Sequence, residues 1–313
     1  EESYKVSEEE SKRQFSLFFW NICAPAGGYD ITDGGVVPWP SRIDKIARHI
    51  LRQDVDVVCL CEAFDPNAAS FLSHALSNNY PYIYSNIGSR SIGVSSGIMI
   101  ASRYKIENIT FTPFPLDSLV GRTKNASKGI VSFDLEPSES NVGFARVHVT
   151  HLQHSEVVAS PKDESVENKE DMERRHEEEA GRSKQLQILS NKSQGIADKL
   201  VLALGDLNCD REELNRSEMR EGWTEGEIDK NTASWQGDTW CANLMEKRPS
   251  DAVHLDYILL HQNGMQATIT TDLVKTGFNP LEIQEDALSD HLGLRSVLSF
   301  IPKASSTSSK KRS

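Results

Sequence analysis

Nowhere in the 313 residues is there an unbroken apolar run of about 18, the length a membrane-crossing helix needs. Paired cysteines are also missing. Cys23, Cys59, Cys61, Cys209 and Cys241 show no CxxC, and Cys59 and Cys61 sit too close on one strand to bridge each other. Buried or partly buried free thiols are therefore expected instead of disulfides or a zinc site. Positive charge is scarce, with 34 Lys+Arg against 46 Asp+Glu and a formal net charge of −12. Tight duplex binding draws on Lys and Arg to release counterions, so no stable nucleic-acid partner is expected, although a local basic groove or a metal would compensate. Internal repeats are absent. What is present is an apolar content of 38%, enough for a sizeable core. The first residue is Glu1 and not Met, which leaves open the removal of a leader. Asn-x-Ser/Thr sequons at Asn108, Asn125, Asn191 and Asn215 permit glycosylation without deciding anything.

Strands are predicted over Phe15 to Ile22, Val55 to Cys61, Gly97 to Ala101, Ile130 to Leu135, Gly143 to Thr150, Val201 to Leu207, His254 to Leu260 and Leu294 to Ile301. Helices are predicted from an N-cap at Ser41 to about Leu51, with Ile43, Ile46, Ala47 and Ile50 on one face, then over Ala68 to Leu76 and Arg182 to Asn191. This alternation predicts an α/β sandwich in one domain, residues 15–302, between an N-terminal extension (1–14) and a Ser/Lys/Arg-rich disordered tail (303–313). Ser155 to Gly181 is a charge-dense insert. Its acid-first pairs Glu170/Arg174, Asp171/Arg175 and Glu178/Arg182 support a solvated helix, with a lid or partner role as the other reading.

Polar residues recur at the predicted strand ends. Gly205-Asp206-Leu207-Asn208 closes the run Val201-Leu202-Ala203-Leu204, and residues i and i+2 of a strand point the same way. A carboxylate and an amide leaving a buried strand together suit a metal-bound phosphate and its attacking water. Asn21, Glu62 and His151 end other strands, Asp256 lies in Leu255-Asp256-Tyr257, and Asp290-His291 precedes the last strand. Each has a plain structural alternative. Asn21 or Asp290 could cap a turn, Glu62 could open a helix, His151 could be a satisfied buried histidine, and Asp256 could pair with a backbone amide. Their joint occurrence in this order is hard to obtain by chance. Glu and Asn oxygens are hard donors suited to Mg²⁺.

The order Asn21, Glu62, His151, Gly205-Asp206-Leu207-Asn208, Leu255-Asp256-Tyr257 and Ser289-Asp290-His291 resembles the endonuclease/exonuclease/phosphatase superfamily. Within it, Trp39-Pro40-Ser41-Arg42-Ile43-Asp44, Glu62-Ala63-Phe64-Asp65, Tyr80-Pro81-Tyr82, Asp117-Ser118-Leu119, Lys128-Gly129, Thr150-His151-Leu152-Gln153, Arg182-Ser183-Lys184-Gln185-Leu186 and Thr239-Trp240 are most similar to bacterial-type neutral sphingomyelinases, the sphingomyelinase C group. The resemblance implies a four-layered α/β/β/α sandwich of the DNase I-like type. It implies hydrolysis dependent on Mg²⁺, with Mn²⁺ or Co²⁺ as alternatives, held by Glu62 and Asn21 with Asp206 and Asp290 as further candidates. His291 would be the general base, oriented by Asp256. Asp206 would position the water, Asn208 and His151 would donate to phosphoryl oxygens, and Lys128 would clamp the phosphate. The substrate implied is a phospholipid at a membrane surface, sphingomyelin first, for a monomer that is secreted or peripheral to the membrane.

The chain departs from that group in three places. Gly121 to Ser127 are extra residues carrying Arg122 and Lys124, so Asp117 is not assigned a role. Pro66 stands where an edge metal site of the secreted members would want a ligand. Between Asp256 and Asp290, His261 to Leu288 holds a single aromatic, Phe278, where those members carry an aromatic-rich hairpin that enters the bilayer. Trp39, Phe111, Phe114 and Trp235 are other membrane-contact candidates, each better explained by core or loop packing. A nuclease of the same fold and a phosphoinositide phosphatase are the competing readings. The first wants a basic face, and the second a Trp-Cys-Asp-Arg string that Trp240-Cys241-Ala242-Asn243 does not supply.

Overall fold

The computed structural model describes residues 13–28, 38–88, 94–136, 144–155, 169–197, 199–226, 228, 234, 253–261, 263, 266–274 and 288–301. The predicted tail, Trp235, Thr239, Trp240, Cys241 and Phe278 lie outside them. The strands are β1 (Arg13–Ala24), β2 (Val57–Ala63), β3 (Tyr82–Tyr84), β4 (Met99–Ser102), β5 (Lys105–Pro113), β6 (Gly129–Glu136), β7 (Ala145–His151), β8 (Leu200–Asp206), β9 (Trp223–Glu225), β10 (Asp256–His261), β11 (Ala267–Val274) and β12 (Gly293–Phe300). The helices are α1 (Ile43–Gln53), α2 (Pro66–Leu76), α3 (Lys169–Ser193) and α4 (Arg211–Arg216). Two six-stranded sheets form, in the orders β11-β12-β1-β2-β4-β3 and β5-β6-β7-β8-β10-β9.

The period-2 geometry of the strands explains why their central runs are apolar on both faces. In β1, Phe15, Leu17 and Phe19 pack with Val131, Phe133, Val147, Leu202 and Ile258 of the second sheet. The alternate residues Phe18, Trp20 and Ile22 pack outward with Ile43, Ile46 and Ile50 of α1 and Leu72 and Leu76 of α2. On the far side, Ala203, Tyr257 and Leu259 pack against Leu186 and Leu189 of α3. Helix, sheet, sheet and helix layers follow, which is the predicted α/β/β/α sandwich.

Several local expectations change. β1 begins at Arg13, opposite Phe300 of β12, so the last two residues of the predicted extension are strand. Ser41 does not cap α1. It sits in a short 3₁₀ turn with its hydroxyl on Pro38 O at 2.8 Å, and Arg42 precedes the helix. α2 starts at Pro66, whose fixed φ suits the first helical turn, with Asp65 accepting from the amides of Asn67 and Ala68. The second part of the charged insert is continuous with the helix predicted over Arg182 to Asn191, giving 25 residues in α3. That helix is not solvated throughout, because Glu178, Gly181, Arg182, Gln185, Leu186 and Leu189 are buried along one face. The expected Glu178/Arg182 pair gives way. Glu178 lies 3.8 Å from Arg174, and Arg182 makes a two-pronged contact with Glu213 of α4 at 2.7 and 2.9 Å. The planar guanidinium fork matches a carboxylate better there than along its own helix.

Candidate active site

Every polar residue singled out at a strand end falls at one end of the sandwich. In the second sheet β7 runs parallel to β8, and β10 antiparallel to it. Their registers place His151 opposite Asp206 and Asp206 opposite Asp256. In the first sheet parallel β1 and β2 put Asn21 opposite Cys61, so Glu62 is the next residue out. The Ser289–His291 segment enters the same space because it leads into β12, which is antiparallel to β1. Gly205 permits the close approach of β7 and β8, since a Cβ there would lie 2.1 Å from Thr150 O.

The two sheets meet through Asn21. Its Nδ2 donates to Glu62 Oε1 and Asp206 Oδ2, each at 3.0 Å, and lies 3.4 Å from His291 Nε2. Its Oδ1 accepts from the Cys23 amide at 3.0 Å. Asn21 therefore holds two carboxylates together here and would offer an oxygen to a metal only after turning its amide over. His291 Nδ1 is 2.7 Å from Asp256 Oδ2, and its Nε2 is 3.7 Å from Asp206 Oδ2. His151 Nε2 faces the same acids, 3.6 Å from Asp206 and 3.8 Å from Glu62. Phe64 lies beside His151, with ring centroids 6.3 Å apart. Asp290 takes part through charge, its hydrogen bond being from Ser289 Oγ at 3.2 Å.

Asn208 reaches the site differently from the expectation. β8 ends at Asp206, so the i, i+2 strand argument does not apply to it. Instead the chain turns left-handed at Asn208 (φ 49), and its amide donates to Asp206 Oδ1 at 3.0 Å. Glu62 is likewise left-handed, with φ 57. For non-glycine residues that conformation costs on the order of 1–2 kcal/mol, and such strain concentrates at functional sites. The Asn208 side chain makes long contacts, 3.4 Å to Leu152 O and 3.4 Å to His154 Nδ1. Lys128 is buried and donates its Nζ to Leu152 O.

The charge balance is uneven. Burial, and then Asp290, raise Glu62 above the usual carboxylate range. Burial, and then Asp256, do the same for Asp206. Burial works to lower His291, but Asp256, Asp290 and Asp206 overcome it and hold the imidazole well above its usual value. Burial, reinforced by Lys128, keeps His151 neutral, and burial lowers Lys128 despite the neighbouring Asp206 and Glu62. Acids held so close, with raised proton affinities, form a site short of positive charge. One donor each from Glu62, His151 and Asp206 lie within 4.8 Å of one another, and the set fits a divalent cation.

Other quoted strings prove to be braces. Arg42 donates to Ile22 O and Leu288 O at 2.6 and 2.5 Å and to Cys23 O, tying the end of β1 to the segment before His291. Trp20 Nε1 donates to His291 O at 2.9 Å. Asp65 accepts from Gly27 N at 2.8 Å besides capping α2. Gln185 of α3 bonds Gln153 N and Ser118 O, at 2.8 and 2.7 Å, fixing the loops around Lys128. These tertiary roles carry no periodic signal.

Paired sheets with carboxylates, an amide and histidines gathered at one end define a phosphoesterase fold. The sequence model of the Endonuclease/Exonuclease/phosphatase family matches residues 19–291, and the chain belongs to that family. No curated protein matches its sequence. Among solved structures it is similar to a double mutant of β toxin from Staphylococcus aureus with bound magnesium ions (19% identity, TM-score 0.66, covering 91% of this chain and 99% of that one). It is also similar to sphingomyelinase C from Streptomyces griseocarneus (19% identity, TM-score 0.65, 91% and 99% covered). TDP2 from D. rerio complexed with a single-strand DNA product is similar too (17% identity, TM-score 0.60, 91% and 98% covered). At these identities the likeness shows the fold.

Proposed function

We propose that the protein is a Mg²⁺-dependent phosphodiesterase that hydrolyses sphingomyelin to ceramide and phosphocholine, with residues 15–302 acting as one catalytic unit. The observation that carries this reading is the 2.7 Å contact between His291 Nδ1 and Asp256, which leaves Nε2 facing the Asp206–Glu62–Asn21 cluster. Asp256 fixes the imidazole tautomer, and the positive charge of a bound cation would bring down the raised proton affinity of His291 so that Nε2 can accept a proton. His291 takes that proton from water as the water oxygen bonds to phosphorus, and the bond to the ceramide oxygen breaks. Asp206, 3.7 Å from His291 Nε2, aligns the water. Asn208 turns its loosely held amide to a phosphoryl oxygen, and His151, neutral through burial, donates to another. Lys128 adds fixed positive charge behind them. Glu62 and Asp206, joined by Asp290 and a turned-over Asn21, would hold Mg²⁺, which would polarise the phosphate and offset charge on the leaving alkoxide.

The magnesium of β toxin and the sphingomyelinase neighbour support the choice of metal and lipid. The DNA-bound neighbour keeps a nuclease as the second reading, disfavoured by the net charge of −12. No helix among the described residues is long and apolar enough to cross a membrane. We read the protein as a monomer, secreted or peripheral, that meets lipid at a membrane surface. The test is to incubate it with Mg²⁺ and sphingomyelin in mixed micelles, and in parallel with abasic DNA and with phosphoinositides. Phosphocholine release abolished by chelator and by His291→Ala is expected. Nicked DNA with untouched lipid would overturn the lipid assignment.

A further inference from the structure

The two members of the catalytic pair belong to different sheets. Asp256 is the first residue of β10, and His291 lies two residues before β12. A hydrogen bond of 2.7 Å between such elements depends on something that ties their ends together. Ser234, which the sequence does not single out, sits between them with no exposed surface. Its Oγ accepts from the amides of Leu255 and Asp256, at 2.9 and 3.0 Å. Its carbonyl accepts from the amide of Leu292 at 2.7 Å. One residue thus holds the backbone of Asp256 on one arm and the residue after His291 on the other.

We infer that Ser234 is a positioning residue that sets the distance and angle of the Asp256–His291 pair. It acts through the two arms and touches no substrate, because it is fully buried. The serine hydroxyl is what serves two consecutive amides at once. Alanine would leave both amides without their acceptor, threonine would keep the oxygen, and cysteine would offer sulfur, a weaker acceptor. The inference rests on the reading of His291 as the base held by Asp256.

The experiment compares Ser234→Ala, Ser234→Thr and Ser234→Cys in the full chain with Mg²⁺. Turnover of sphingomyelin micelles and of bis(p-nitrophenyl) phosphate is measured beside the ¹⁵N shifts of the His291 ring at one fixed pH. A displaced base loses turnover steeply, so kcat of Ser234→Ala should fall on the order of 10–100-fold with KM nearly unchanged. Ser234→Thr should recover most of it, Ser234→Cys should fall between, and the ring shifts should move in the same order. A Ser234→Ala enzyme within threefold of wild type, with unmoved ring shifts, overturns the inference. So does a threonine variant that folds but is as slow as alanine. If alanine does not fold, the cysteine variant carries the comparison, and failure of both to fold shows a purely structural residue and also overturns it. A wild type inert on both substrates rejects the proposed reaction instead, and the ring shifts then decide the role of Ser234 alone.

Discussion

Replacing Asp256 with Asn removes a charge while keeping the shape of the side chain. Asp256 is fully buried, with Oδ2 at 2.7 Å from His291 Nδ1 and Oδ1 lacking a hydrogen-bond partner. The amide can occupy this space in two ways. With its oxygen on His291 the useful tautomer survives, but the NH₂ group enters a buried position with no acceptor. With its nitrogen on His291, the imidazole must carry its proton on Nε2 and cannot accept one from water. Both ways lose a charge-assisted hydrogen bond, worth about 1.5–3 kcal/mol. At about 1.4 kcal/mol per decade that alone is roughly 10–150-fold in rate, and the tautomer penalty adds to it. Turnover should therefore fall about 10²–10³-fold with KM little changed. Folding stability should change less, because Asp256 also raises Asp206, and removing its charge relieves that repulsion. The assay is phosphocholine release from mixed micelles, with denaturant unfolding of the same preparation. A kcat within threefold of wild type would refute the orienting role. Lost activity with an equal collapse of the unfolding midpoint would refute the argument about shape.

Three other perturbations have defined outcomes. Glu62→Gln should weaken Mg²⁺ binding about 10-fold or more by calorimetry, since it removes one charged donor of the candidate set; an unchanged Kd would remove Glu62 from it. Gly205→Ala forces a Cβ to within 2.1 Å of Thr150 O and should cost about 3 kcal/mol in urea unfolding, with a wild-type midpoint contradicting the close approach. His148, bonded to Ser132 Oγ at 2.8 Å, is pushed down from 6.5 to about 3, mainly by burial. The unfolded chain then takes up a proton that the fold refuses, so this stability is complete above about pH 6.5 and declines as pH falls towards 3. Between pH 7 and 5 wild type should lose about 2 kcal/mol more than His148→Asn, and parallel unfolding curves would show that His148 is not buried neutral.

The candidate site was legible because its residues bound or interrupt apolar runs. Asn21, Glu62, His151, Asp206 and Asp256 each close or open a strongly apolar run, where a polar side chain must find polar partners, and all but Glu62 are buried. Four strands, β3, β5, β9 and β11, escaped the sequence reading, β3 and β9 because each is only three residues long. In β5 the pairing with β6 slips between Glu107 and Thr110, and Asn108 turns left-handed, so alternation fails in the middle. β11 is an edge strand whose outward Thr268, Thr270 and Asp272 make it look polar. The helix cap at Ser41 failed for a different reason, since a hydroxyl that caps a helix and one that closes a 3₁₀ turn have the same local sequence.

The sequence by itself determined the layered α/β architecture, because burial and period-2 geometry are written in local patterns, and it marked the candidate acids, amides and histidines through their order along the chain. Only the tertiary structure decided how they meet. It showed that Asn21 bridges two carboxylates from different sheets, that Asn208 arrives by a left-handed turn instead of along β8, and that Arg42, Gln185 and Ser234 brace the loops. Such contacts join residues far apart in the chain, and each depends on strand register and on which carbonyls and amides the sheets leave unpaired. Those are properties of the assembled sandwich, and no window of sequence contains them.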